Sequence, residues 1–124
     1  VQVTVTTSQH EAVFILGFGG DIDVASAVTV RDALDRVIAA GHHRIVLDLS
    51  EVRFIDSTGL GVMVGRLKAV RDLGGDMHLV CGSPRIARVL AITSLDEVFT
   101  IHESVDDAVA ALDPESTGSA GEVR

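Results

Sequence analysis

The chain has 124 residues and a formal net charge of −8, enough length for one domain with a real core. Apolar residues make up 47% of it, but only Phe14, Phe18, Phe54 and Phe99 are aromatic, and there is no Trp or Tyr. Such a chain is poorly suited to stacking bases or meeting a phosphate backbone, so no nucleic-acid partner is expected. No apolar run approaches the ~18–20 residues of a membrane span, no secretory signal is legible, and no membrane partner is expected either. Cys81 is the only cysteine and reads as a small buried strand residue, which fits a cytoplasmic protein without disulfides. The first residue is Val rather than Met, which reads as a trimmed start.

Residues 3–7 alternate and predict a first strand. Ser8-Gln9-His10 reads as a turn into a second strand over 12–18, the two forming a hairpin. Gly19-Gly20-Asp21-Ile22-Asp23 reads as a tight connection to a long helix, on which Ala27, Val30, Leu34 and Val37 share one face. Gly41 ends that helix where a left-handed residue is commonly needed. Residues 44–49, with Ile45-Val46-Leu47, predict a strand covered on both faces. Residues 50–56 then lead to a second helix carrying Leu60, Met63, Leu67 and Val70, ended by Gly74-Gly75. A strand over 77–81 follows, and Ser83-Pro84 reads as a capping hydroxyl with proline at the first helical position. That third helix turns Ile86, Val89 and Leu90 inward. Residues 98–102 predict a short last strand, and Ser104 with Asp107 resembles a capping box for a helix with Val105, Ala108, Val109 and Leu112. The pattern predicts an α/β domain over 1–112, a mixed sheet of four to five strands with about four helices. Residues 113–124 have too little apolar surface to fold and read as a disordered tail.

The most informative stretch is Phe54-Ile55-Asp56-Ser57-Thr58-Gly59-Leu60-Gly61. A strand ends, a hydroxyl follows an acid, and glycines fall in the first helical turn. The first turn leaves backbone N–H groups unpaired and partly positive, so the fold would tolerate a phosphate on Ser57. A phosphate brings about −1.5 to −2 charges, costly to bury against a partner unless paired. Local chemistry alone leaves two readings open. Either Ser57 is a modification site, or Asp56 or Ser57 caps the helix while Gly59 and Gly61 allow close packing.

The spaced motifs across residues 3–112 resemble the STAS-domain anti-anti-sigma factors of bacteria. The likeness is carried by Asp56-Ser57-Thr58-Gly59-Leu60-Gly61-Val62, Gly65-Arg66-Leu67-Lys68 and Gly74-Gly75. Gly20-Asp21-Ile22-Asp23, Asp48-Leu49-Ser50 and residues 85–95 fall in the matching order. The resemblance implies a STAS-like fold and a non-enzymatic anti-sigma factor antagonist. Its unphosphorylated form would bind an anti-sigma factor that is also a serine kinase, freeing a sigma factor. Phosphorylation on Ser57 would switch binding off, and a serine phosphatase would reset it. Asp23, Asp56, Ser57, Thr58, Gly59, Leu60 and Gly61 would form the partner-binding surface, with no cofactor. The alternative is a STAS scaffold or sensor module that binds a small ligand or assembles into a signalling complex.

Other chemistries fit the residues less well. An aspartic protease needs a contiguous Asp-Thr/Ser-Gly in two copies, whereas Thr58 intervenes here. Ser57 lacks the flanking glycines of a hydrolase elbow. A receiver domain wants a Lys after its last strand, and the single Lys68 is helical. His10, His42, His43, His78 and His102 have no zinc-ligand spacing and read as solvated turn or strand residues, so no metal is expected. Asp32, Asp35 and Asp72 read as solvated helix faces, and no Gly-x-x-x-x-Gly-Lys loop is present for a nucleotide.

Overall fold

A computed structural model describes residues 3–114. The chain forms β1 (Thr4–His10), β2 (Val13–Ile22), α1 (Val24–Ala39), β3 (Arg44–Ile55), α2 (Ser57–Asp72) and β4 (Asp76–Val80). It continues through α3 (Pro84–Ile92), a 3-10 turn (Leu95–Glu97), β5 (Ile101–His102) and α4 (Val105–Leu112). The five strands make one sheet in the order β1-β2-β3-β4-β5; β1 is antiparallel to β2, and every later pair is parallel.

Alternation along the strands sorts their side chains between two layers. Ile45, Leu47 and Leu49 of β3 join Leu16, Phe18, Leu79 and the inner faces of α1, α2 and α3 in the main core. Val46 points the other way, with Val13 and Val80, against Ala108, Val109 and Leu112 of α4. Three helices therefore cover one face and one helix covers part of the other. The glycine stops act as expected: Gly41 and Gly74 take φ of +97° and +85°, the left-handed region that favours glycine.

Several expected boundaries move. β3 does not stop at residue 49 but runs on to Ile55, through residues expected to connect it to the next helix. β1 runs on through Ser8-Gln9-His10, and the hairpin turns at Glu11, itself left-handed with φ 54°. The stretch from Gly19 to Ile22 is not a loop: it extends β2 and pairs with the far end of β3, Gly19 opposite Glu51 and Ile22 opposite Ile55. β5 keeps only two residues of the expected 98–102, because Val98 closes the 3-10 turn. Asp113 belongs to the fold: it caps α4, is buried, and its N–H donates to the Val109 carbonyl at 2.8 Å. Of the expected tail, Pro114 is exposed, and residues 115–124 lie outside the described residues.

The caps also differ in part from expectation. Ser104 accepts from the Asp107 N–H at 3.1 Å. Ser83 makes no side-chain cap bond, so α3 is started by Pro84 with its preset φ. Cys81 is buried just past β4, and burial pushes its thiol pKa up. Asp35 is not merely solvated: it forms an ion pair with Arg66 that ties α1 to α2.

Candidate functional site

The extended pairing of β2 with β3 fixes the site. Ile22 and Ile55 are opposite one another, so the chain leaves the sheet at Asp23 and Asp56 side by side. The Asp56 N–H donates to the Ile22 carbonyl at 3.1 Å and joins the two strand-to-helix junctions. Both acids then cap helices. Asp23 accepts from the Ser26 N–H at 3.0 Å while the Ser26 hydroxyl accepts from the Asp23 N–H at 2.9 Å, a closed capping box. The Ser26 N–H bond, with the hydroxyl's help, holds the Asp23 carboxyl below its ordinary pKa.

Asp56 accepts from the N–H groups of Thr58 at 3.0 Å and Gly59 at 3.2 Å. The capping role left open between Asp56 and Ser57 therefore falls to Asp56. Ser57 is the first residue of α2 and is exposed, as is Thr58. Because the Asp56 carboxylate already engages two of the free N–H groups, a charge added at Ser57 would be directed outward rather than folded into the helix end. Asp56→Ala should cost about 1–2 kcal/mol in urea unfolding, while Asp56→Asn should recover most of it. Equal stability of all three proteins would remove Asp56 from this role.

The remaining motif residues divide by burial. Gly59 and Leu60 are buried and lie beneath the surface. A Cβ on Gly59 would stand 2.5 Å from Ile22 Cγ2 and 3.2 Å from Ile55 Cγ1, so this glycine lets α2 sit tightly over the strand ends. Gly61 is exposed, and a Cβ there would meet nothing within 4 Å. Close packing thus explains Gly59 and leaves Gly61 unexplained by the fold.

Three apolar side chains whose exposure the sequence did not signal lie beside these residues in the chain: Val24 is 67% exposed, Val28 49% and Phe54 46%. Val24 and Val28 stand one turn apart at the start of α1, and Phe54 pairs with Asp21 on the strand ends. Their composition gave no signal, since Val and Phe in these positions look like core. Nearby, Ser50, Glu51, Val52, Arg53, Ser83 and Arg85 line an open polar cleft of about 540 Å³. Among the described residues, no cluster of three or more His, Cys, Asp or Glu could hold a metal ion. No described helix is long and apolar enough to cross a membrane.

A mixed sheet with three helices on one face and one on the other, and two capped helix starts side by side where the chain leaves it, is the architecture of an α/β domain of STAS type. The STAS domain profile matches residues 4–108, and the chain belongs to that family. An anti-sigma F factor antagonist of Paenibacillus polymyxa is 29% identical over 114 residues, covering 91% of this chain and 97% of that one. A Thermotoga neapolitana homologue of TM1081, likewise named as an anti-sigma factor antagonist, is 41% identical over 75 residues; the match spans 60% of this chain and 66% of that relative. The crystal structure of an anti-sigma factor antagonist from Mycobacterium paratuberculosis superposes with a TM-score of 0.79 at 27% identity, covering 90% of this chain and 94% of that one.

Proposed function

We propose that this chain is an anti-sigma factor antagonist whose binding is switched by phosphorylation of Ser57. It acts as a binding module and kinase substrate, not as an enzyme, and works in the cytoplasm. In its unphosphorylated form it docks on an anti-sigma factor that is also a serine kinase and so frees a sigma factor. The kinase modifies Ser57, the complex separates, and a serine phosphatase restores the hydroxyl.

The observation that carries this reading is the separation of roles at the start of α2. Asp56 supplies the cap, which leaves the exposed Ser57 hydroxyl available without cost to the helix. The docking surface we assign contains Ser57, Thr58 and Gly61, bordered by Asp23 and the exposed Val24, Val28 and Phe54. Gly59 and Leu60 shape that surface from beneath. Exposed apolar side chains at the paired strand-to-helix junctions suit a surface that is buried in a complex, where an unpaired phosphate is costly.

The test is incubation with candidate anti-sigma factor kinases and ATP, with the phosphate located by mass spectrometry. Phosphate on Ser57 together with loss of the complex is expected. Stable binding with no phosphate, or phosphate elsewhere, would overturn the switch.

Gly61 gives an independent check. Gly61→Ala should stabilise the domain by about 0.5–1 kcal/mol through helix propensity, yet weaken binding by placing a methyl group on the docking surface. A rise in stability with unchanged affinity would take Gly61 out of the interface.

A further inference from the structure

β5 is attached by very little backbone. It has two residues, Ile101 and His102, paired with Leu79 and Val80 of β4. The Leu79 N–H donates to the Thr100 carbonyl at 3.0 Å and the Cys81 N–H to the His102 carbonyl at 3.1 Å. α4 follows within three residues. A side-chain contact joins the same two strands: His78 Nδ1 lies 3.0 Å from His102 Nε2, with the rings stacked and their centroids 5.1 Å apart. His78 is buried, which corrects its reading as a solvated residue, and His102 is half-buried.

The neighbours fix where the protons sit. His78 Nε2 faces Asp76 Oδ2 at 3.4 Å, and a carboxylate only accepts, so Nε2 carries the hydrogen. Neutral His78 then has a bare Nδ1, and His102 Nε2–H donates to it. A proton added to His78 Nδ1 would set two N–H donors against each other at the same short distance.

We propose that the His78–His102 pair is an acid-sensitive latch that fastens β5, and with it the start of α4, to the sheet. Other charged groups lie on the elements packed around His78. On its own strand Asp76 is held by Arg71 of α2 at 3.0 Å, and Arg71 also donates to the Val98 carbonyl just before β5. On β3 the residue opposite His78 is Val46, flanked on that face by Arg44, which donates to the Leu112 carbonyl, and by Asp48, which accepts from Ser50. α4 packs with Val105, Ala108, Val109 and Leu112; Asp106 and Asp107 are exposed, and Asp113 is buried at its C-cap. Burial lowers the His78 pKa below its ordinary 6.5; Asp76 opposes this, while His102 and Arg71 reinforce it. A histidine with a depressed folded pKa stabilises the fold above the unfolded value, and that stability is lost as pH falls through the folded value. The latch is therefore closed at neutral pH and opens in acid.

Amide hydrogen exchange of the full chain at about pH 7.5 and pH 5, corrected for intrinsic rates, tests this. Protection in β5 and the first turn of α4 should fall by roughly tenfold or more relative to β2 and β3. His102→Gln should shrink that difference severalfold, because its amide can turn either its oxygen or its N–H toward His78 and only the cost of burial remains. An equal acid response in His102→Gln, or none in the wild type, overturns the latch. Ring-nitrogen NMR of the wild type gives a second readout that needs no variant. His78 is expected to take up its proton only below its ordinary value; protonation at or above that value overturns the latch.

Discussion

Ser57→Asp is expected to bind the anti-sigma factor kinase at least 30-fold more weakly than Ser57→Ala, a difference of about 2 kcal/mol or more. The effect comes from desolvation. In the free protein a carboxylate at the first position of α2 sits in water beside a helix N-terminus, where negative charge is favourable. In the complex the same charge would lie on a surface taken out of water, which includes the exposed Val24 and Val28 at the start of α1. Both variants should unfold at nearly the same denaturant concentration as the wild type, because Asp56 and not Ser57 holds the helix end. The measurement is a titration of each variant into the kinase by calorimetry, with unfolding curves alongside. Equal affinities would end the charge mechanism. A large loss of stability in Ser57→Ala would return Ser57 to a purely structural role.

Gly75→Ala should destabilise the domain by about 3 kcal/mol or more. A Cβ there would lie 1.8 Å from the His43 carbonyl oxygen and 2.7 Å from the carbonyl carbon. The obstacle is backbone, so no rotamer change relieves it. It also falls at the first rung of the β3–β4 ladder, where the Asp76 N–H donates to that same His43 carbonyl at 2.9 Å. Gly75 is not in the left-handed region, unlike Gly74, so the loss would report close approach alone. Urea unfolding measures it, with Gly61→Ala as the companion of opposite sign. A loss below about 1 kcal/mol would mean that β3 and β4 part at this end at little cost.

The order of the nine strands and helices was legible in the sequence because apolar spacing and glycine or proline stops agreed at almost every junction. What it concealed was pairing. Gly19-Gly20-Asp21 has the composition of a loop, and only its partner, the stretch from Glu51 to Phe54, makes it strand. The same blindness hid the latch, since His78 and His102 are 24 residues apart and meet only through the β4–β5 pair. At the candidate site, the reading found the right stretch but could not divide it. The burial that separates Gly59 and Leu60 from Ser57, Thr58 and Gly61 depends on where Ile22 and Ile55 lie, which no local pattern states.

The sheet is laid down strictly in chain order, each strand beside the one before it. No strand has to be threaded between two that are already paired, and no early strand waits for a late one. A chain leaving the ribosome N-terminus first can close the β1–β2 hairpin, then add β3, β4 and β5 one at a time at the growing margin. Each addition draws on a segment synthesised just earlier, which keeps loops to be closed short. The two-residue β5 comes last, and the domain is nearly assembled before it is needed.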